Sequence, residues 1–402
     1  MKQNLVIKDL GDICHFQNGF AFKSKTFKEF GEPVVRITNI QNDRVESKGF
    51  VFVDRKDYSQ DLSKYEVKKG DLLIAMSGAT TGKIGLYRSE KILLLNQRVG
   101  LFKPSQSLDK QYLYYFLSTK VEESLAISAG AAQPNLSTEQ IKAFQIPLPS
   151  LPEQQRIVSI LDEAFAAIDQ AKANAEQNLQ NAKELFESYL QGVFEKKGDD
   201  WEETLLKEVC ELKSGTTISP KLERNEGDVL YIKVGDMNLP NNEIEINTST
   251  RFVNSNEIKL RQIIPEGSII FPKRGGAIAT NKKRKIVSPT IVDLNTMAII
   301  PSSRIDKDYF FHWFQLFDLM SISNGANIPQ INNYSFDEVY IPFPKSLEVQ
   351  QIIVRQLDSL RDETQKLEAV YQTKMDDLDE LKKSILQKAF AGELETEKVV
   401  AV

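Results

Sequence analysis

Cysteine, histidine and tryptophan occur only twice each in this chain of 402 residues. Two cysteines, Cys14 and Cys210, are too few for a disulfide-stapled fold, and a pair of small buried thiols is the simplest reading. Neither His15 nor His312 has a cysteine or carboxylate at ligand-like spacing, which argues against a metal site or a histidine-centred triad. No run of 18 apolar residues occurs and the stretch Met1–Ile7 lacks a signal-peptide pattern, so a cytoplasmic protein with no membrane contact is expected. No G-x-G-x-x-G turn follows a strand. Ser77–Lys83 resembles a phosphate loop, but it is one residue short and continues into Ile84 where a magnesium-binding hydroxyl belongs. There is no Asn-Pro-Pro-Tyr or Asp-Pro-Pro-Tyr run and no nuclease-like carboxylate cluster. Asp376, Asp377, Asp379 and Glu380 read as a solvated helix face. The expectation is a binding protein with no catalytic residue, metal or cofactor of its own.

What the chain does contain is itself, twice. Leu10–Gly19 aligns with Leu206–Gly215 at an offset of 196 residues, so Cys14 and Cys210 share one place in two copies. Arg36–Ile40 aligns with Lys233–Met237, Gly70–Ile74 with Gly267–Phe271, and Asp109–Tyr112 with Asp306–Tyr309, all at 197. Ser128–Ala131 with Ser323–Ala326, and Ile146–Pro149 with Ile341–Pro344, follow at 195, the drift that loop insertions produce.

Each copy ends in a long helical pattern. After Ile146-Pro-Leu-Pro-Ser-Leu-Pro-Glu-Gln-Gln-Arg-Ile157, apolar or small residues recur at Ile157, Leu161, Ala164, Ile168, Ala171, Ala175, Ala182, Leu185 and Tyr189. The steps alternate between three and four, the seam of a coiled coil, apart from a polar Asn178. The second copy repeats the seam at Ile353, Leu357, Leu360, Thr364, Leu367, Tyr371, Lys374, Leu378, Leu381 and Ile385. Roughly 40 residues of helix make a rod about 60 Å long that cannot bury its own seam. The spacing therefore predicts two rods paired antiparallel about a pseudo-two-fold axis, small Ala171, Ala175 and Ala182 on one facing large Leu367, Tyr371 and Leu378 on the other. A rod paired with a rod of another chain is the alternative.

Within each lobe, short apolar runs between turn residues predict strands at Val34–Ile40, Gly49–Val53, Asp71–Ala75, Ile92–Leu95 and Val99–Phe102. A helix is expected at Asp109–Ser124, another at the capping box Ser137–Gln140, and Pro152 suits a first helical turn. The fold class is thus an α/β (α+β) tandem repeat with a mostly antiparallel or mixed sheet in each lobe. The boundaries are 1–150 for lobe one, 151–197 for its long helix, 198–346 for lobe two, 347–391 for the second long helix, and 392–402 for a tail.

The net charge of −5 argues against nucleic acid only until it is divided. Residues 1–150 carry +5, 151–200 carry −5, 201–346 carry −1 and 347–402 carry −4, so the acid sits on the rods. Lys273, Arg274, Lys282, Lys283, Arg284 and Lys285 cluster without an acidic neighbour. Lobe one offers Lys83, Arg88, Lys91 and Arg98 in the same region, though not residue by residue. Arginine grips guanine edges and lysine neutralises phosphate, while Asn96, Gln97, Asn281 and Asn295 are candidates for adenine edges.

Leu148-Pro-Ser-Leu-Pro-Glu-Gln-Gln-Arg-Ile157, the Leu10–Gly19 opening, the turn-rich Gly70–Gly85 stretch and the two-copy layout resemble the specificity (S) subunits of type I restriction–modification enzymes over essentially the whole chain. The second copy departs at Ser346-Leu-Glu-Val-Gln-Gln351, which lacks the proline. The resemblance implies two target recognition domains, each reading one half of a split, asymmetric site on double-stranded DNA, with the helices setting the gap. It implies partner subunits too: modification subunits, two of them, methylating adenine with S-adenosylmethionine, and restriction subunits using ATP and Mg²⁺. An orphan subunit serving methylation alone, or a coiled-coil protein scaffold, are the competing readings.

Overall fold

The computed structural model describes residues 6–41, 43–128, 135–325 and 327–394. The proposed match of Ser128–Ala131 with Ser323–Ala326 lies partly outside them, at 129–131 and 326. The chain forms two compact units: one assembled from residues 1–176 and 372–402, the other from the continuous stretch 177–371.

In the first unit a six-stranded sheet runs in the order Cys14–Asn18, Val99–Pro104, Leu72–Ala75, Ile84–Leu86, Arg44–Val45, Ile40–Gln41. A four-stranded sheet, Val51–Val53, Glu32–Val35, Leu93–Leu95, Glu66–Val67, packs against it. Side chains alternate across a strand, and Leu72–Ala75 uses both faces. Leu72 and Ile74 join the core under the helices, whereas Leu73 and Ala75 join the core shared with the second sheet. Being buried on both sides, this strand reads as an unbroken apolar run.

The second unit repeats the plan. Its five-stranded sheet runs Cys210–Ser214, Thr296–Pro301, Ile269–Pro272, Arg284–Ile286, Glu245–Ile246, beside a three-stranded sheet of Phe252–Val253, Val229–Ile232 and Thr290–Val292. Ile269 and Phe271 again face the helices and Ile270 faces away. Both lobes mix directions, with one parallel pair in each second sheet, Glu32–Val35 with Leu93–Leu95 and Val229–Ile232 with Thr290–Val292. The helix expected at Asp109–Ser124 is two, Lys110–Ser118 and Val121–Ser128, while the box at Ser137 caps a helix at Thr138–Lys142 as the sequence suggests.

The long helices are Leu151–Glu195 and Leu347–Ala391, each 45 residues at an offset of 196, so the missing proline does not move the second start. Gly392, at φ 73°, ends the second: Gly392 N–H bonds Ala389 and Glu393 N–H bonds Lys388 in a Schellman turn. Within each unit the two helices run antiparallel. In the first, Lys172 meets Asp379 at 2.7 Å and Asp169 meets Lys382 at 3.3 Å. In the second, Leu190 and Phe194 share a cluster with Leu357 and Ile353.

The aliphatic seam follows the predicted spacing except at three places. Ile157, Leu161, Ile168, Ala175 and Leu357 are buried and Ala171, Ile353, Leu360 and Leu378 half-buried, but Leu185, Leu367 and Leu381 are 51%, 42% and 44% exposed. Their places are taken one residue later by Phe186, Glu368 and Lys382, with Arg361 following Leu360 and Met375, 8% exposed, following Lys374. The cause is amphipathic side chains: Arg361 lies over the Phe186 ring and Lys382 over Phe165, each burying an aliphatic stem that hydropathy does not count.

Candidate nucleic-acid interface

Each lobe is fastened to its helices from the same four positions, three of them filled by the same residue type in both copies. Gln154, fully buried, accepts from Asp109 N–H at 2.8 Å and donates to the carbonyls of Ser107 and Pro149 at 2.9 and 3.0 Å. Gln350 does the same with Asp306 at 2.7 Å, Arg304 at 3.2 Å and Pro344 at 2.8 Å. That is the physical content of the Gln-Gln motif: a buried amide whose three bonds join strand end, helix cap and long helix. Asp109 and Asp306 cap the following helices through their side chains, and Tyr112 and Tyr309 donate to the carbonyls of Pro147 and Pro342. Tyr115, which donates to Asp162, and His312 are the fourth pair, and sequence reasoning missed it. Arg361 donates to His312 Nδ1 at 2.9 Å, so Nε2–H donates to Asp358, also at 2.9 Å. Burial, with the Arg361 charge beside it, pushes this imidazole down to about 4, so it is a neutral bridge and not a catalytic base.

With one end of each lobe fixed, the opposite ends of the central strands carry the loops. In lobe two these are Lys273-Arg274-Gly275-Gly276, Asp293–Thr296 and the segment around Gln330. Gly275 takes φ 72°, Arg274 bridges Gln330 through the backbone, Lys273 N–H bonds Asn295, and Lys273 Nζ lies 3.0 Å from Ser214. Lobe one builds the same edge from Ser77, Gly78 at φ 76°, Asn96–Arg98 and Asn135, with a Ser77–Asn135 bridge and Met76 N–H bonded to Arg98. Gly19 and Gly215 close the arrangement. A Cβ would fall 2.2 Å from the Asn96 carbonyl oxygen at the first and 1.8 Å from that of Asp293 at the second, so only glycine lets the strand press on the loop.

Against this edge the basic candidates separate. Arg98 and Arg274 are exposed on it, and Lys273 sits half-buried there, its amine pushed down by burial and by the adjacent Arg274. Lys83 and Lys282 prove to be counterparts residue by residue: Lys83 donates to Gln41 at 3.1 Å and Lys282 to Asn238, and both follow a left-handed residue, Gly82 or Asn281. Lys91 is exposed beside the Phe52 ring, and Arg88 lines a groove of about 700 Å³ with Tyr114, Asp162 and Lys382, on the helix side of its lobe.

The remainder of the run 282–285 is not a free basic patch. Strand alternation turns Lys283 inward to 1% exposure, at the place of buried Ile84 in lobe one, where Nζ donates to the carbonyls of Gln315 and Phe317. Burial pushes that amine down to about 7, and it cannot touch a duplex. Arg284 bonds the Lys283 and Met237 carbonyls, and Lys285 pairs with Glu245 and Asp308 at 3.0 Å each. Asn281 is spent on Phe317 and Leu319 and Asn295 Nδ2 on Asp293, whereas Gln97 is exposed. Cys14 and Cys210 are buried free thiols, each pushed up to about 12 by burial.

Among the described residues no cluster of histidine, cysteine and carboxylates suits a metal, and no helix is long and apolar enough to cross a membrane. Residues 2–180 and 198–374, both copies, match the family model described as the type I restriction modification DNA specificity domain. The chain belongs to that family. It is similar to the type I restriction enzyme EcoBI specificity subunit of Escherichia coli, 25% identical with 96% of this chain and 85% of that one covered. It resembles the EcoKI specificity subunit of E. coli K12 at 22% identity, covering 98% and 90%. The fold matches a chain solved in work on complex assembly and conformational transition of the type I R-M system, at TM-score 0.78 and 17% identity over 98% of this chain and 100% of the other. The HsdS subunit from Thermoanaerobacter tengcongensis follows at TM-score 0.64 and 16% identity, 97% of both chains. Two target recognition domains and a recognition rather than catalytic role follow from membership.

Proposed function

We propose that this specificity subunit finds a bipartite DNA site for a type I restriction–modification complex, the lobe within 1–150 reading one half and the lobe within 198–346 the other. One observation carries the reading: the same loop edge is built twice on the same scaffold but presents different side chains, Gln97 and Arg98 against Leu294 and Asn295, with Arg274 exposed where lobe one has buried Ser77. An identical frame with different readers fits two unlike half-sites. Arg274 and Arg98 are the candidates for guanine, Lys273, Lys83, Lys282 and Lys91 for phosphate, and Arg88 for a role beside the helices.

The long helices set the gap between half-sites and, with their acidic faces, hold the modification subunits, one per copy. Those subunits supply S-adenosylmethionine chemistry and restriction subunits supply ATP and Mg²⁺, all in the cytoplasm. Family resemblance supports these partner assignments. Selection from random duplexes with the full chain and its modification subunits is the test. A bipartite consensus is expected, and Arg274→Ala should relax one half only. No enrichment would leave a protein-binding scaffold as the better account, and equal loss in both halves would remove Arg274 as a reader.

A further inference from the structure

Leu294, on the lobe-two edge, is a side chain that packing within the fold does not explain. Leu294 is 51% exposed at the tip of the turn between the strands Thr290–Val292 and Thr296–Pro301. That turn is tightly held. Asp293, 8% exposed, accepts from Thr296 Oγ1 at 2.8 Å, Asn295 Nδ2 at 3.0 Å and Asn295 N–H at 3.2 Å. Its own N–H bonds Ile232 at 2.9 Å, Gly215 presses on its carbonyl, and the next strand is tied through Asn295 to Lys273. An isolated surface leucine is unremarkable. Here the apolar tip is fixed in position with Lys273, Arg274 and Ser214 on the adjoining segments, so a duplex brought in by those cations meets it. Lobe one places Gln97 at the equivalent tip, its turn closed by the matching Val99 to Asn96 bond and Met76 to Arg98 bond.

We propose that Leu294 is a specificity-determining residue that packs on the C5-methyl group of a thymine in the half-site read by lobe two, where lobe one offers Gln97 to a base edge. Thymine is the base whose major-groove edge presents an apolar group, which an aliphatic tip can accept and cannot replace with a hydrogen bond. The inference rests on the DNA-reading function proposed above.

The test uses the full chain and the duplex obtained by selection, with each thymine of the lobe-two half-site replaced in turn by deoxyuridine, which removes only the methyl. Wild-type protein should lose about fourfold in affinity at one position, the value of one buried methyl group. Leu294→Ala should bind the thymine duplex about that much more weakly and should not distinguish uracil from thymine there. Leu294→Gln should move the preference at that position toward adenine and leave the lobe-one half-site alone. A wild type indifferent to every methyl, or a Leu294→Ala variant that keeps the full methyl effect, overturns the assignment of Leu294. A chain that selects no sequence at all overturns the DNA-reading function instead, and this inference with it.

Discussion

Replacing Lys283 by methionine should stabilise the second unit and leave DNA binding untouched. The amine is 1% exposed, and burial brings it to about 7 from an ordinary 10.5. Because the folded value is the lower of the two, the unfolded chain binds more protons between them, and stability must rise with pH across that window. The cost of charging this site is full below pH 7 and gone above about 10.5. At neutral pH it amounts to roughly 4 kcal/mol against the fold. Methionine removes that cost and forfeits two hydrogen bonds, to Gln315 and Phe317, worth about 1 kcal/mol each, for a net gain near 2 kcal/mol. The only two tryptophans of the chain, Trp201 and Trp313, both lie in the second unit, so selectively excited fluorescence reports its unfolding alone. Urea midpoints taken from pH 7 to pH 10 should climb for wild type and be flatter for Lys283→Met. Parallel pH profiles would show an amine that titrates normally, and with it a lysine free to meet phosphate.

Gln154→Ala and Gln350→Ala each strand an N–H and two carbonyls, so each should cost about 2–4 kcal/mol in its own unit, read as a lowered denaturation midpoint with unchanged half-site sequence. His312, held at about 4, contributes stability that is complete above its ordinary 6.5 and is lost as pH falls toward 4; His312→Tyr, the residue of lobe one, should shift the acid midpoint of the tryptophan signal to lower pH, and an unmoved midpoint would exclude the imidazole as the cause. Seven residues inserted between Ala171 and Leu185 should change the spacer selected from random duplexes while both half-sites persist; altered half-sites would refute a spacing role for the helices.

Backbone-level features were legible because duplication repeats them. Gly19 and Gly215, Gly78 and Gly275, Gln154 and Gln350 mark the same geometric demand twice, and the starts of both 45-residue helices fall at one offset. Side-chain environment was less legible. Charge alone made 282–285 a patch, although alignment of Lys283 with Ile84 carried the warning that this strand position points inward. The seam went wrong where Arg361 and Lys382 do the packing, and the His312–Asp358–Arg361 bridge escaped notice because Tyr115 and Asp162 fill the same role with different chemistry.

Among the described residues the first unit draws 372–394 back onto the part of the chain before residue 177, whereas the second unit is one continuous span. During synthesis, then, the later lobe has all its parts in hand while the earlier one still waits. Leu386 and Ala389 belong to the core that contains Leu161 and Ile168, and until they emerge that apolar surface stays wet. A nascent chain halted near residue 371 would carry a finished second half and an exposed, association-prone first half.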